Sequence, residues 1–482
     1  MGSGLSMCSS NQRARPGMRR GLRVGLDLCG QTAGTVAGWG WRAMATGRLT
    51  PERREQDIRS HRAAGTRQPA GGRSFRPDIE GLRAVAVALV VLFHAGVPAL
   101  AGGYIGVDVF FVLSGFLITD RLIRERVSRG STSIPDFYAR RARRILPIAS
   151  LVLIVTVVAS YHWLGFLRAG VIAREGQWTA VFAANLHFAQ QGSQYLNSFA
   201  PPSPLQHFWS LAVEEQFYLA WPMLFVLVAT VAHTVRFRVK LAAALAAIVL
   251  ASFAWSVIQT RSNGTWAFYS PLTRAWELAL GALLAVGVPA LGRVRARFGI
   301  WLSWAGLAGV IASAFLINGT TAFPGYAAAL PVGATTLVVA AGSIAPGRGA
   351  EILLGRAPFQ WLGKLSYSLY LWHWPLLVIA AQHSATRLSP GATAAWVVLA
   401  LVLSFVAYHL IENPIRYARV VTKRPVNSLA LGLCLVLLAY GLCRWEVSTH
   451  QAQHRRPASP SVPTPALGAG RSFVWACALG KG

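Results

Sequence analysis

The sequence predicts an all-α integral membrane protein: a polytopic bundle of ten core transmembrane helices plus an eleventh, with disordered termini. Hydrophobic residues make up 54% of the 482-residue chain and charged residues only 13%, whereas a soluble protein carries about a quarter charged residues. The apolar residues form successive runs of membrane-spanning length. The formal net charge is +29, but the basic residues lie between these runs, where they orient a chain in a bilayer. We therefore expect no nucleic-acid partner.

The chain divides by composition into four parts. Residues 1–74 are rich in Arg, Gly, Ser and Thr and are interpreted as a disordered cytoplasmic tail, or as the result of a start codon assigned too far upstream. We expect no cleavable signal peptide, so the first span would be an uncleaved anchor. Residues 75–420 form the predicted membrane domain, 421–446 an additional transmembrane helix and 447–482 a short external tail. The cysteines have no metal-ligand spacing, and we expect no metal.

The positive-inside rule orients the predicted spans. With the N-terminus in the cytoplasm, every strongly basic loop falls on the cytoplasmic side and the C-terminus lies outside. This agreement requires the moderately apolar segment 175–191 to be external or re-entrant rather than a crossing. The predicted spans are 82–98, 104–121, 145–163, 207–231, 241–259, 271–290, 299–317, 325–345, 363–382, 392–411 and 427–445.

Ionisable residues inside the first two spans indicate a functional interior, because charge at membrane depth is costly. Arg83 and His94 are eleven residues apart, so they share a helix face and lie ~16 Å apart along the axis. Glu80 lies at the start of the same helix. Asp108 is about as far past the connecting turn as His94 is before it, so an antiparallel hairpin would let its carboxylate orient the imidazole of His94 for general-base catalysis. Alternatively, His94 merely bonds a neighbouring helix.

Later spans carry similar residues. His207 and Glu214 are seven residues apart on one face, with Glu215 beside them; the two glutamates could instead compensate arginines elsewhere in the bundle. Arg274 and Glu277 are three apart and could simply pair with one another. Ser366, Tyr370 and His373 form a polar stripe at i, i+4 and i+7.

A basic cluster precedes the third span. Arg140, Arg141 and Arg144 lie at its predicted cytoplasmic edge, where planar guanidinium groups could bind phosphates in a bidentate manner. The alternative is that they only orient the chain. Together these residues predict a polar interior with a basic cytoplasmic mouth suited to a phosphorylated ligand, and both ion-driven energy conversion and group transfer remain open.

Seven ordered motifs resemble the bacterial acyltransferase-three family of integral-membrane O-acyltransferases over about residues 75–420. They are FRPDIEGLRAVAVALVVLFHA, GGYIGVDVFFVLSGFLIT, DFYARRARRILP, PLQHFWSLAVEEQFYLAWP, RAWELALGALLA, SYSLYLWHWPLLV and IENPIR. The resemblance implies transfer of an acyl group, usually acetyl, from cytoplasmic acyl-CoA to a hydroxyl of a surface or periplasmic glycan. No bound cofactor is expected, since acyl-CoA is a substrate.

The resemblance also implies roles for individual residues. Arg83 and His94 match the residues most strongly tied to activity in the family, and Arg140, Arg141 and Arg144 match arginines implicated alongside them. On this hypothesis His94 is the general base or takes part in an acyl relay, Asp108 orients it, and Glu214 and Glu215 shape the acceptor side. Supporting roles fall to a further set of residues: Glu80, His207, Arg274, Glu277, Tyr370 and His373.

The sequence differs from many members of the family in its C-terminal region. Many relatives with an eleventh helix continue into an external SGNH esterase-like domain, for which the remaining residues here leave no room. Truncation, a separate periplasmic SGNH-type transferase as partner, or sufficiency of the ten-helix unit would each explain this. A transporter, which also needs buried charges beside a cavity, and an inactive relative remain alternative interpretations.

Overall fold

The computed structural model describes residues 75–192, 201–231, 236–384 and 388–454. Within these ranges the regular elements are helices and no strand occurs. The predicted tail 1–74, and all but the start of the predicted external tail, lie outside the described residues. In chain order the helices are α1 Pro77–His94, α2 Gly106–Arg129, α3 Ile134–Leu164, α4 Phe166–Ala180, α5 Ala184–Gln190, α6 Phe208–Val231, α7 Phe237–Ser262, α8 Gly264–Tyr269, α9 Pro271–Leu291, α10 Ala296–Leu316, α11 Ala329–Ile344, α12 Glu351–Leu354, α13 Ala357–His383, α14 Pro390–Ala407, α15 Asn413–Tyr417, α16 Arg419–Thr422 and α17 Pro425–His454.

Each predicted span corresponds to one long helix of the described chain. Among the described residues, seven stretches are both long and apolar enough to cross a bilayer, which makes the chain a multi-pass membrane protein. Four other helices match predicted spans: α1, α2 and α13 carry the polar residues of the motifs, and α11 has 16 residues. The count of ten or eleven crossings therefore stays a prediction. The seven stretches are Ile134–Leu164, Phe208–Val231, Phe237–Ser262, Gly264–Leu291, Ala296–Leu316, Pro390–Tyr417 and Pro425–Thr449.

The doubtful segment 175–191 is divided between two short helices. α4 has 15 residues and α5 has 7, and between them Phe182 adopts a positive φ of 55°. Neither helix has the ~20 residues needed to cross a bilayer. This agrees with the expectation that the segment is not a crossing.

Capping residues set several helix boundaries. Ser133 accepts a hydrogen bond from the backbone N–H of Asp136 at the start of α3, and Ser270 accepts one from Leu272 at the start of α9. Pro occupies the first turn of α1, where its missing N–H costs nothing. At the other end of α1 the chain leaves the helix after His94, and Gly96 follows with φ 77°. His94 is thus the last helical residue of α1.

Two glycines bring α2 and α9 into backbone contact. A Cβ at Gly115 would lie 1.8 Å from the carbonyl oxygen of Leu278, and one at Gly281 would lie 2.0 Å from that of Val112. Small residues allow such close helix approach in membranes. Asp108 is seven residues before Gly115 on the same face of α2, so this contact turns Asp108 towards α9.

α13 packs against α1. A Cβ at Gly363 would lie 2.1 Å from the carbonyl oxygen of Glu80, so the second turn of α13 touches the first turn of α1. The two helices then run in the same direction. This arrangement places the polar stripe of α13 beside the face of α1 that holds Arg83 and His94.

Candidate functional site

Two histidines from α1 and α13 meet at the ends of their polar faces. The Nδ1 atom of His94 lies 2.9 Å from Nε2 of His373, and the two rings are nearly parallel at 20°. His373 is fully buried, and His94 is half-buried beside Trp374, whose ring centroid lies 4.4 Å away. The predicted stripe on α13 thus includes a direct partner of His94.

The hydrogen bonds determine which nitrogen of each neutral ring holds the proton. Nδ1 of His373 lies 3.0 Å from the backbone carbonyl of Leu369, and because a carbonyl only accepts, this nitrogen must donate. Nε2 of neutral His373 is then an acceptor, so Nδ1 of His94 donates to it. The lone pair of His94 consequently lies on Nε2, the nitrogen a general base would use.

Several more buried side chains lie beside this histidine pair. The hydroxyl of Tyr370 donates to the backbone carbonyl of His207 at 2.9 Å and lies 2.6 Å from the hydroxyl of Ser210. The ring centroid of His207 lies 6.0 Å from that of His373, and its Nε2 donates to the carbonyl of Leu371. The structure therefore brings His207, Tyr370 and His373 together, with His373 in direct contact with His94.

A cavity of about 100 Å³ lies towards the other end of α1. Arg83, Arg141 and Arg144 line it, together with Glu214 and Tyr370. Arg83 is also paired with Glu80 at 3.2 Å, and the guanidinium of Arg141 lies 4.1 Å from the ring centroid of Tyr218. Three arginines and one carboxylate in the lining give the cavity an excess of positive charge. The full lining is Arg83, Val107, Phe110, Phe111, Leu113, Ser114, Leu117, Arg141, Arg144, Ile145, Ser210, Leu211, Glu214, Tyr218, Ser366, Tyr367 and Tyr370.

Tyr370 lies between this cavity and the histidines. It lines the cavity, and its ring centroid is 5.6 Å from that of His373. His94 itself is not part of the cavity lining. The sequence predicts one continuous polar interior, and in the structure Tyr370 adjoins both the basic cavity and His373.

Arg140 differs from the prediction that grouped it with Arg141 and Arg144. It does not line the cavity and instead forms an ion pair with Glu125 of α2 at 2.8 Å. The reason is helical geometry, because consecutive residues of α3 point about 100° apart. Arg141 and Arg144, three residues apart, share the face that meets the cavity, and Arg140 faces α2.

The prediction that Asp108 orients His94 is corrected by the structure. The Asp108 carboxylate accepts a hydrogen bond from Arg274 at 2.8 Å, and Arg274 also pairs with Glu277 at 2.8 Å. All three side chains are at most 1% exposed. The segment between α1 and α2 is not a tight turn: Gly106 already lies against the carbonyl of Ala86, eight residues or ~12 Å along the axis from His94. Asp108 is therefore not level with His94.

Glu214 lies in the lining of the basic cavity. There it accepts hydrogen bonds from Ser114 at 2.9 Å and Tyr218 at 3.2 Å, and its role on the acceptor side stays a prediction. The seven-residue spacing that gives His207 and Glu214 a common face also separates them by ~10 Å along the axis. Glu215 does not line the cavity, and one of its carboxylate oxygens is buried without a hydrogen-bond partner among the described residues.

Sequence reasoning missed three residues of the site. Ser210 contacts Tyr370, Tyr218 contacts both Glu214 and Arg141, and Ser114 donates to Glu214. Ser210 and Tyr218 could have been found, because with His207 and Glu214 they follow one helix face at intervals of three and four. Ser114 gave no comparable signal, since only the packing of α2 brings it there.

Comparison with known proteins identifies the chain's relatives. The family model described as "Acyltransferase domain" matches residues 76–447. The chain is 31% identical over 360 residues to YrhL of Bacillus subtilis, covering 71% of this chain and 55% of that protein. It is 31% identical over 359 residues to the peptidoglycan O-acetyltransferase OatA of Listeria monocytogenes, covering 71% and 56%.

A third relative is covered almost completely. The chain is 32% identical over 371 residues to BcsY of Komagataeibacter xylinus, provisionally named a membrane-bound transacylase, and the match covers 76% of this chain and 90% of that protein. By contrast, the chain spans about half the length of YrhL and OatA. No solved structure matches the chain.

Proposed function

Because the chain belongs to the acyltransferase family whose model covers residues 76–447, we propose that it is a membrane O-acetyltransferase. The donor is cytoplasmic acyl-CoA, most simply acetyl-CoA. The acceptor is a hydroxyl of a cell-surface or periplasmic glycan of the peptidoglycan, lipopolysaccharide or exopolysaccharide type. The names of the relatives, which include peptidoglycan O-acetyltransferases, support the reaction and the class of acceptor.

The basic cavity supports a phosphorylated donor. Arg83, Arg141 and Arg144 line it, and arginine binds phosphate oxygens with a planar fork of N–H donors. The cavity volume of about 100 Å³ is well below the ~300 Å³ or more of sites that enclose drug-sized ligands. The nucleotide would therefore stay at the arginines, and the narrow pantetheine arm would enter the cavity towards Tyr370.

The 2.9 Å contact between Nδ1 of His94 and Nε2 of His373 is the single observation that best supports the chemistry. With its Nδ1 proton held by His373, Nε2 of His94 accepts the proton of the acceptor hydroxyl as the hydroxyl oxygen attacks the thioester carbonyl. The new carbon–oxygen bond forms, the carbon–sulfur bond breaks, and the proton passes from His94 to the departing thiolate. The products are the acetyl ester of the glycan and free CoA.

The position of Tyr370, next to both the basic cavity and His373, adds a step to the proposed mechanism. For the thioester to reach His94, the Tyr370 side chain must turn away from Ser210 and the carbonyl of His207, which hold it in the observed position. A relay, in which an acyl group is first passed to His94 and then to the acceptor, needs the same movement. Tyr370 is thus a positioning residue of the donor path in either case.

The proposed setting is the bacterial cytoplasmic membrane, with the N-terminus in the cytoplasm and the C-terminus outside. The Arg-rich cavity then opens on the side where CoA thioesters are made, and the half-buried face of His94 lies towards the acceptor. A separate periplasmic SGNH-type transferase is a proposed partner that could pass the acetyl group onwards.

The experiment uses the full chain purified into nanodiscs and supplied with radiolabelled acetyl-CoA and a soluble glycan acceptor. CoA release, followed as free thiol, must depend on the acceptor, and the label must appear in an alkali-labile ester. His94→Ala should lower the rate by about 10²- to 10⁴-fold, the usual contribution of a general base. His409→Ala, which changes an exposed histidine of the π-helical turn after α14, is the matched control.

His373 provides the sharper test. His373→Ala removes the acceptor that holds the Nδ1 proton of His94, and the rate should fall. His373→Gln places a side-chain oxygen near the former Nε2 and should recover part of the activity, whereas a purely structural role predicts no such recovery. Full activity of folded His94→Ala protein, or no acceptor-dependent CoA release by the unmodified protein, would overturn the proposal.

A further inference from the structure

We infer that Ser366 of α13 holds the acyl donor by donating a hydrogen bond to an amide carbonyl of its pantetheine arm. This inference rests on the proposed function, since it assigns a contact to the acyl-CoA proposed above. Ser366 is a positioning residue on this account, because its hydroxyl touches the part of the donor that does not react.

The first observation is an unsatisfied hydroxyl facing a cavity. Ser366 is 0% exposed and lines the basic cavity, and its Oγ atom has no hydrogen-bond partner among the described residues. Leaving a buried hydroxyl unpaired is unfavourable, so such groups are usually bonded. Ser368, two residues later and equally buried, donates to Glu412 at 2.9 Å.

The position of Ser366 suits an amide of the donor arm. Ser366 precedes Tyr370 by four residues and His373 by seven on one helix face, which places it ~6 Å and ~10 Å from them along the axis. Ser366 lines the same cavity as the arginines that would bind the phosphates, and it is ~10 Å along the axis from the histidine that would meet the thioester. The two amides of the pantetheine arm lie between the phosphates and the thioester. An amide carbonyl accepts hydrogen bonds, and a serine hydroxyl can donate one.

The surroundings of Ser366 argue against a covalent role. A serine nucleophile needs a base within hydrogen-bond distance, and Oγ of Ser366 has no such neighbour among the described residues. Glu214 lines the same cavity, but its two carboxylate oxygens accept hydrogen bonds from Ser114 and Tyr218. Ser366 therefore binds the donor without carrying the acyl group.

The test compares two donors, acetyl-CoA and acetyl-pantetheine, which share the amides and differ in the nucleotide. Ser366→Ala should raise the KM for both donors by the same factor, about 3- to 10-fold, the loss expected for one neutral hydrogen bond. The value of kcat and the KM for the glycan should stay within about twofold. Ser366→Thr, which keeps the hydroxyl, should restore most of the donor affinity.

Two control variants separate this effect from a general response to lost serines. Ser256→Ala removes another buried, unpartnered hydroxyl that lies outside the cavity lining, and Ser368→Ala removes a bonded one on the same helix. Both should leave the donor KM unchanged. An equal rise in either control, an unchanged KM in Ser366→Ala, or a rise for acetyl-CoA alone would overturn the assignment. Absence of CoA release by the unmodified protein would overturn the proposed function as well.

Discussion

Asp108→Asn distinguishes the role that spacing predicted for this residue from the one its contacts indicate. If Asp108 oriented His94, the substitution would disturb the imidazole as in other catalytic triads, where loss of the orienting carboxylate lowers turnover by up to ~10⁴-fold. In the structure Asp108 instead bonds Arg274, and the neighbouring Gly106 lies against Ala86, ~12 Å along the axis from His94. A hydrogen bond spans only ~3 Å. We therefore expect turnover within a few-fold of the unmodified protein.

The same contacts predict how stability should change. Arg274 bonds both carboxyl groups beside it, and all three groups are buried. Asp108→Asn keeps an oxygen that can accept from Arg274, and Glu277 remains beside the guanidinium, so the cost should be below about 1 kcal/mol. Arg274→Met leaves both carboxylates without their cation and should cost about 3–5 kcal/mol, as for other broken buried pairs.

The assay combines two measurements on the same purified samples. Thermal unfolding followed by tryptophan fluorescence gives the order of stability, and acceptor-dependent CoA release gives turnover. We expect Arg274→Met to unfold at a clearly lower temperature than Asp108→Asn. A folded Asp108→Asn protein whose turnover falls by 10³-fold or more would refute the reasoning, because it would require Asp108 to act on His94 despite the distance.

Three further predictions concern packing and charge. Gly281→Ala should prevent stable folding, because its Cβ would lie 2.0 Å from a backbone carbonyl of α2. Gly287→Ala on the same helix should be tolerated, because its Cβ would meet nothing within 4 Å. The yield and monodispersity of each variant in detergent measure its folding. Arg144→Gln should raise the KM for acetyl-CoA, and Arg140→Gln, which only breaks the pair with Glu125, should lower the unfolding temperature at unchanged KM. Higher ionic strength should raise the KM for acetyl-CoA more than that for acetyl-pantetheine, because salt screens phosphate–arginine attraction; an equal rise for both donors would contradict nucleotide binding at the arginines.

The candidate site was predictable where its residues lie on one helix. The spacing of Ser366, Tyr370 and His373 correctly indicated a common polar face, and the pairing of Arg274 with Glu277 was expected from their i, i+3 spacing. Predictions about contacts between residues on different helices were less accurate. Asp108 was assigned to His94 because a tight hairpin was assumed between α1 and α2, whereas the chain there folds back through two 3₁₀ turns, Pro98–Leu100 and Gly103–Ile105.

The sequence by itself determined that the chain is helical and membrane-embedded, that it belongs among the acyltransferases, and which helix faces are polar. These features depend on local composition and on a periodicity of 3.6 residues, and both can be read from one continuous segment of the chain. Only the tertiary structure decided that His373 and not Asp108 bonds His94, that Arg140 faces Glu125, and that Tyr370 adjoins both the basic cavity and His373. Those contacts depend on how far one helix slides along another and on which faces meet, and the glycines that fix this register act through backbone contacts between segments distant in the chain.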